Sequence, residues 1–271
     1  MSDAIDSYLA ANAGEARALL ERLCRQPSVV AQGLGMAEMA DLTEGLLREA
    51  GFSTQRLHAA GAPPAIFGEL KGRSPYTLLL YNHYDVQPAE PLDLWESPPY
   101  EPTVREGKLF ARGASDNKGE IAARLAAIRA LRAAGGELPI TIRWIIEGEE
   151  EIGSPHFAAI AEPYAELLRA DGCLWEGSGF APDGRPELVL GTKGLLYVQL
   201  DVAGTGMNGE DFAWSLLREE QVAVMPGSSF GDGATDFIRL TLTVPDAHID
   251  ESCRRITALA ARATMPKERR A

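Results

Sequence analysis

Four places in this 271-residue chain set ligand-type side chains at the edge of apolar runs. His83 and Asp85 stand two residues apart at the end of Tyr76-Thr77-Leu78-Leu79-Leu80-Tyr81-Asn82-His83-Tyr84-Asp85. Alternation along a strand sends both to the same side. A carboxylate bonded to one ring nitrogen fixes the tautomer and strengthens the other nitrogen as a metal donor. Asp116 lies in Gly113-Ala114-Ser115-Asp116-Asn117-Lys118-Gly119, Glu150 and Glu151 close a second apolar run, and Glu176 follows a third. Oxygen-rich sites with one imidazole per metal suit paired divalent ions, with one carboxylate bridging and a further, unligated carboxylate acting as general base on water. Each residue also has a plainer use. His83 and Asp85 can each be structural, and composition alone favours Asp116 as a helix N-cap. The acids of 147–151 can form a solvated loop, although they follow an apolar strand directly, where adjacent carboxylates repel unless something positive compensates them.

The elements that must position these groups read as an α/β layer fold, with helices covering a sheet. Residues 4–25 have helical composition, with Gly14 as a dividing point, and Met36 to Ala50 is a second amphipathic helix stopped by Gly51. Residues 52–57, 65–70 and 76–85 read as strands. The proline-rich stretch 88–102 is an irregular loop that either lines a site or covers the core. A hairpin strand at 108–112, a helix at 120–134, a strand at 139–146, a helix at 155–169 and a strand at 172–175 follow. Residues 187–202 read as paired strands around Gly191-Thr192-Lys193-Gly194. In open α/β sheets, sites are built at strand carboxyl ends, where His83, Glu151 and Glu176 fall.

Apolar residues at 45% and charged residues at 24% are ordinary for a folded globular chain. The net charge of −13 argues against nucleic acid and anionic membrane as partners. Cys24, Cys173 and Cys253 are widely spaced, so a disulfide framework is not expected and a cytoplasmic location is. No basic region followed by an apolar run opens the chain, and no apolar stretch reaches spanning length, so neither secretion nor membrane insertion is expected.

The segments Asn82-His83-Tyr84-Asp85-Val86-Gln87-Pro88, Arg112-Gly113-Ala114-Ser115-Asp116-Asn117-Lys118-Gly119 and Glu147-Gly148-Glu149-Glu150-Glu151-Ile152-Gly153-Ser154 resemble the signature of a di-zinc metallopeptidase family. That family includes carnosinase-type dipeptidases, glutamate carboxypeptidase, acetylornithine deacetylase and succinyl-diaminopimelate desuccinylase, and the likeness covers about residues 5–203. The resemblance implies a zinc-peptidase-like catalytic domain over 1–206, a mixed sheet covered by helices. It implies His83 and Glu176 on one ion, Glu151 on the other and Asp116 bridging both. Asp85 would orient His83, and Glu150 would be the general base. Asp171 lies close enough in sequence to compete for the role of Glu176. Two divalent ions are implied, Zn2+ first, with Mn2+ or Co2+ as alternatives. The implied reaction is hydrolysis of amide bonds in small peptides or N-acyl amino acids, and the wording around Trp95, Ser97 and Pro98 is most like the dipeptidase branch.

The family continues with an inserted lid domain carrying a catalytic His and returns with a second metal-binding His. This chain departs there, since its one His beyond Asp201 is His248, at a helix start. Loss of an oxyanion donor costs about a hundredfold or more. A catalytically inactive metal-binding remnant is therefore the alternative expectation. Residues 207–271 form a second, small α/β segment, with a helix at 209–219, strands at 222–225 and 236–244, a helix at 249–262 and a frayed end from Ala263. The words Glu210-Asp211-Phe212-Ala213-Trp214, Val224-Met225-Pro226-Gly227 and Phe237-Ile238-Arg239-Leu240 resemble the C-terminal end of aspartate-type pyridoxal-phosphate aminotransferases, which implies that Arg239 binds a substrate carboxylate. Pyridoxal phosphate itself is not expected, because a Schiff-base lysine is required and Lys267 is the one lysine after Met207. The chain thus reads as two truncated enzymes joined near 204–207, a fusion, remnant, chimera or artefact. Exposed sheet edge and apolar surface then point to a homo-oligomer or to poor solubility.

Overall fold

The chain falls into two units, residues 1–189 and 190–271. The structure, a computed structural model, describes residues 2–177, 179, 181–187, 189, 198–230, 232–242 and 244–264. The first unit begins with α1 (Ser2–Ala11) and α2 (Ala13–Arg25). The break falls at Asn12 rather than Gly14, because the Asn12 side chain donates to Tyr8 O at 2.8 Å and satisfies a carbonyl of the last turn. α3 (Met36–Glu49) ends as its sequence predicts, with Gly51 at φ 92° just beyond it.

The strands β1 (Ser53–Leu57), β2 (Ala65–Leu70) and β3 (Thr77–His83) come next, followed by the short hairpin of β4 (Thr103–Arg105) and β5 (Lys108–Phe110). α4 (Lys118–Gly135) leads to β6 (Thr141–Glu147). The expected helix over 155–169 is broken into α5 (Phe157–Ala161), a 3-10 turn at Glu162–Tyr164 and α6 (Ala165–Leu168). Pro163 explains the break, since it has no N–H to donate and its ring collides with the preceding turn. The last strand of the unit is β7 (Gly172–Leu174).

These strands form one mixed sheet in the order β1-β2-β6-β3-β7. β1, β2 and β6 pair antiparallel, while β3 runs parallel to both β6 and β7. Register explains how the two faces differ. Gly68, Trp144 and Leu80 stand side by side and meet the helices in a core with Leu23, Leu47 and Leu125. One residue along, Phe67, Ile145 and Tyr81 stand side by side on the other face and pack with Ile160 and Phe157. Each fully buried side chain of this size contributes about 1.5–3 kcal/mol. The same register aligns His83 with Glu147, so the parallel strands deliver their carboxyl ends to one edge.

In the second unit β8 (Gln199–Asp201), α7 (Gly209–Ser215), β9 (Met225–Pro226), β10 (Phe237–Arg239) and α8 (Asp246–Ala263) surround a core of Val202, Phe212, Leu216, Ile238, Ile256 and Leu259. The sheet order is β8-β10-β9, antiparallel throughout. Asn208 caps α7 by accepting from Asp211 N at 2.8 Å. The strands expected at 222–225 and 236–244 are shorter than expected, because pairing runs only over the residues of β9 and β10. α7 passes into a π-helical turn at Leu216–Glu220, and Gln221 at φ 57° ends it. α8 starts three residues before Ile249, behind Pro245, so His248 lies inside its first turn and not at its cap. The turn at 191–194 and most of the frayed end lie outside the described residues. Among the described residues no helix is long and apolar enough to cross a membrane.

Candidate metal centre

His83, the last residue of β3, is fully buried and held from behind. Its Nδ1 lies 3.0 Å from the Asp85 carbonyl and 3.3 Å from Asp85 Oδ1. The Asp85 carboxylate also accepts from Glu150 N at 3.2 Å and Glu151 N at 3.0 Å. One buried acid therefore fixes both the imidazole and the turn that follows β6. The other ring nitrogen, Nε2, faces outward to Asp116 Oδ1 at 3.0 Å, Glu176 Oε2 at 3.1 Å and Glu150 Oε2 at 3.7 Å.

Asp116 does not cap α4, where Asn117 occupies the N-cap position and makes no side-chain capping bond. Its carboxylate turns to His83 instead. Asn117, missed by sequence reasoning, ties the two segments together, since Asn117 Oδ1 accepts from the Asn82 side chain and from His83 N at 3.3 Å. Gln87 was missed as well; its Nε2 donates to Glu151 Oε2 at 2.9 Å and fixes that carboxylate. Both residues stand within two positions of a singled-out acid, and that is the only sequence signal for them. Asp171, the competitor of Glu176, accepts from Thr77 N at 2.7 Å at the start of β3, the end away from His83. The parallel pairing of β3 and β7 separates the two acids.

Two overlapping groups result. His83, Asp116 and Glu176 form one and His83, Glu150 and Glu151 the other, with the ligand atoms of each group all within 4.8 Å of one another. Ser115, Asn117, Glu120 and Gly177 complete the walls of the cleft at Asp116, Glu150 and Glu176. Trp95 and Arg112 from the proline-rich loop and its surroundings line a separate cleft with Arg105 and Phe110. Arg239 belongs to the second unit, where its guanidinium lies 4.6 Å from the centre of the Phe230 ring.

Electrostatics fit a site that is short of positive charge. Burial, reinforced by the carboxylates of Glu176, Glu151 and Asp85, pushes Glu150 up to about 7 against the pull of His83. Burial, with Asp116 and Asp85 beside it, also raises Glu151 above the usual carboxylate range, although Gln87 and His83 oppose the rise. Burial alone would depress His83, but the carboxylates of Asp116, Asp85 and Glu176 close around it outweigh that and raise it well above an ordinary imidazole. The bond from His83 lowers Asp116. Glu176 Oε2 is sealed from solvent, and despite its closeness to His83 no donor among the described residues reaches it in hydrogen-bond geometry. A buried carboxylate oxygen without a donor is costly. Hard oxygen donors around one imidazole fit divalent cations, which would satisfy that atom and relieve the repulsion.

The family model described as peptidase family M20/M25/M40 matches residues 79–237. The human Beta-Ala-His dipeptidase is 38% identical over 144 residues, which are 52% of this chain and 28% of that protein. The Cys-Gly metallodipeptidase dug1 of Schizosaccharomyces pombe is 34% identical over 147 residues, 52% of this chain and 31% of that protein. The match therefore spans less than a third of either relative. Among solved structures, an M20 family metallo-carboxypeptidase from Sulfolobus solfataricus superposes with a TM-score of 0.64 at 30% identity, over 92% of this chain and 63% of that one. The mixed α/β fold of this chain is thus shared with that structure.

Proposed function

This chain belongs to peptidase family M20/M25/M40, and from that membership we propose that it is a metal-dependent hydrolase of amide bonds in small peptides or N-acyl amino acids, of dipeptidase type. The observation that carries the reading is the convergence of Asp116, Glu150 and Glu176 on His83 Nε2, with Glu176 Oε2 buried and without a donor. His83 and Glu176 would hold one divalent ion and Glu151 the other, with Asp116 bridging; Zn2+ is the first choice, with Mn2+ or Co2+ as alternatives. When bound, the ions supply Lewis acidity that acidifies water and polarises the scissile carbonyl. Asp85 holds the His83 ring with Nε2 facing the cleft. Glu150 takes the proton from the attacking water and delivers it to the leaving amine. Its position at the cleft and its raised affinity for a proton support that role.

Three further parts of the proposal rest on separate observations. Free Cys24, Cys173 and Cys253 support a cytoplasmic location. Exposed Leu174 and Trp175 at the outer strand β7 support self-association, which light scattering on the purified chain would measure. For the tail, we keep the aminotransferase-like ancestry of about 208–265, joined near 206/207; it is supported by the wording around Arg239, and it predicts no cofactor absorbance when pyridoxal phosphate is added.

The deciding experiment is metal content of the purified chain, taken together with hydrolysis of a dipeptide panel with and without added Zn2+ or Mn2+. Two ions per chain with metal-supported turnover is the expected result. Metal uptake without turnover on any peptide or N-acyl amino acid would reduce the chain to a metal-binding remnant, and failure to take up divalent ions would overturn the reading altogether.

A further inference from the structure

We infer that Arg124, assisted by Glu120, is the positioning residue that sets the separation of His83 and Glu176, an inference that rests on the metal-centre reading above. The ladder between β3 and β7 ends with Leu80 opposite Leu174. Glu176 lies two residues beyond it, so strand pairing does not fix its backbone. α4 takes over at that point. Arg124 Nη2 donates to Trp175 O at 2.6 Å, and Gly177 N donates to Glu120 Oε1 at 3.0 Å, so the residues on either side of Glu176 are both held. The two α4 side chains lie one turn apart and pair with each other at 3.4 Å.

The same guanidinium reaches the other ligand strand. Arg124 Nη1 donates to Tyr81 O at 2.6 Å and to the Asn82 side-chain oxygen, the two residues before His83. One planar fork, 13% exposed, therefore spans the carriers of both ligands. The rings of Tyr81 and Trp175 stack at 3.7 Å with 10° between their planes and hold the same two strands from a second direction.

The clamp matters because the ligands repel one another before any cation arrives. Asp116, Glu150 and Glu176 all face one imidazole from backbone beyond the strands; Asp85 holds the turn at Glu150 and Asn117 ties the Asp116 segment to His83, which leaves the backbone of Glu176 to α4. Left unheld, it would swing away from the other two carboxylates, and metal binding would then have to order it. Outer partners that orient ligands change metal affinity by about 10–100-fold when removed.

The test is calorimetric Zn2+ titration of the full chain, with melting temperature recorded for every variant. Arg124→Met is expected to weaken one of the two Zn2+ sites by about 10–100-fold. Glu120→Ala should weaken the same site to a smaller extent, while Glu120→Gln, which keeps an oxygen acceptor for Gly177 N, should restore it. Arg132→Met serves as the structural control. Arg132 lies on the same helix and donates to Ala50 O at 2.7 Å, away from the cleft, so its loss should lower the melting temperature and leave Zn2+ affinity unchanged. Folded Arg124→Met and Glu120→Ala variants with undiminished Zn2+ affinity would overturn the clamp while leaving the metal centre intact. An effect of Arg132→Met equal to that of Arg124→Met would overturn it too, by reducing it to stability. Should Arg124→Met fail to fold, the contrast between Glu120→Ala and Glu120→Gln decides. No Zn2+ uptake by the unsubstituted chain would instead strike the functional reading itself.

Discussion

In the first unit the carboxylates of Asp116, Glu150 and Glu176 crowd one imidazole at the edge of a sheet, whereas Glu251 of α8 in the second unit sits one turn from Arg254 and Arg255. Glu151 and Glu150 are raised above the usual carboxylate range by burial and by neighbouring carboxylates, and Glu150 reaches about 7. Glu251, whose side chain is 41% exposed, is lowered to about 2 by its bonds to Arg254 and Arg255. In the second unit Glu251 is paired within a single helix, where i,i+4 and i,i+3 neighbours meet by default, and Arg262 reaches Glu219 and Glu220 of the π-helical turn. The first unit draws the acids of its cleft from segments distant in sequence, with one imidazole among them, and only the fold brings them together. Unrelieved charge that the fold maintains marks a functional site more reliably than charge alone.

The contrast can be broken at several points. Replacing Glu150 with Gln removes the proton carrier but keeps its shape, so dipeptide turnover should fall about 10²–10⁴-fold while two metals still bind. Retained turnover would move the base elsewhere. In the second unit, Phe212→Ala empties a fully buried core position and should cost about 3–5 kcal/mol of that unit's stability. Zn2+ stoichiometry should be untouched, because both candidate ligand groups among the described residues lie in the first unit; lost metal would show that the units are coupled. His83→Ala strikes the residue shared by both ligand groups. Zn2+ affinity at the site His83 shares with Glu176 should drop by more than about a hundredfold, beyond the loss expected for an outer partner, and undiminished affinity at both sites would remove His83 from the ligand set.

The smallest effect is the pH slope, and its sign differs between the units. Glu150 in the metal-free chain has a folded pKa of about 7 against an ordinary 4.5. The native state therefore holds the proton more tightly, and stability falls as pH rises from about 4.5 to about 7. For Glu251 the folded pKa is depressed to about 2, so its contribution is present above about 4.5 and fades as pH falls toward 2. Thermal melts of the metal-free chain across this range should show the first slope, and added Zn2+ should flatten it. A slope that survives saturation with Zn2+ would detach Glu150 from the metal centre.

Much of the first unit was legible in the sequence. The apolar runs before His83 and Glu147 located β3 and β6 to within two residues at either end, because burial on both faces leaves little choice of element. The expected helix over 155–169 failed at Pro163, whose own local rule overrides the surrounding composition. The short strands of the second unit were overextended, since an apolar run sets where a strand is allowed and pairing sets how much of it forms. At the site, the imidazole and the acids were identifiable by type and by their place at strand ends. Asp116 was the hardest to assign, because an acid before a helix reads as a cap until the chain's path puts Asn117 in that position.

The sequence by itself determined the donor chemistry, the strands that carry it and the helices that cover them, since these follow from side-chain type and from periods of 2 and 3.6 residues. Tertiary structure alone decided between Asp171 and Glu176, by laying β7 parallel to β3 with Leu80 opposite Leu174. It alone brought Arg124 to Tyr81, 43 residues away, and to Trp175, 51 residues away. Local periodicity fixes which way a side chain points along its own element, but it carries nothing about which distant element lies opposite, and a metal centre is assembled from such oppositions.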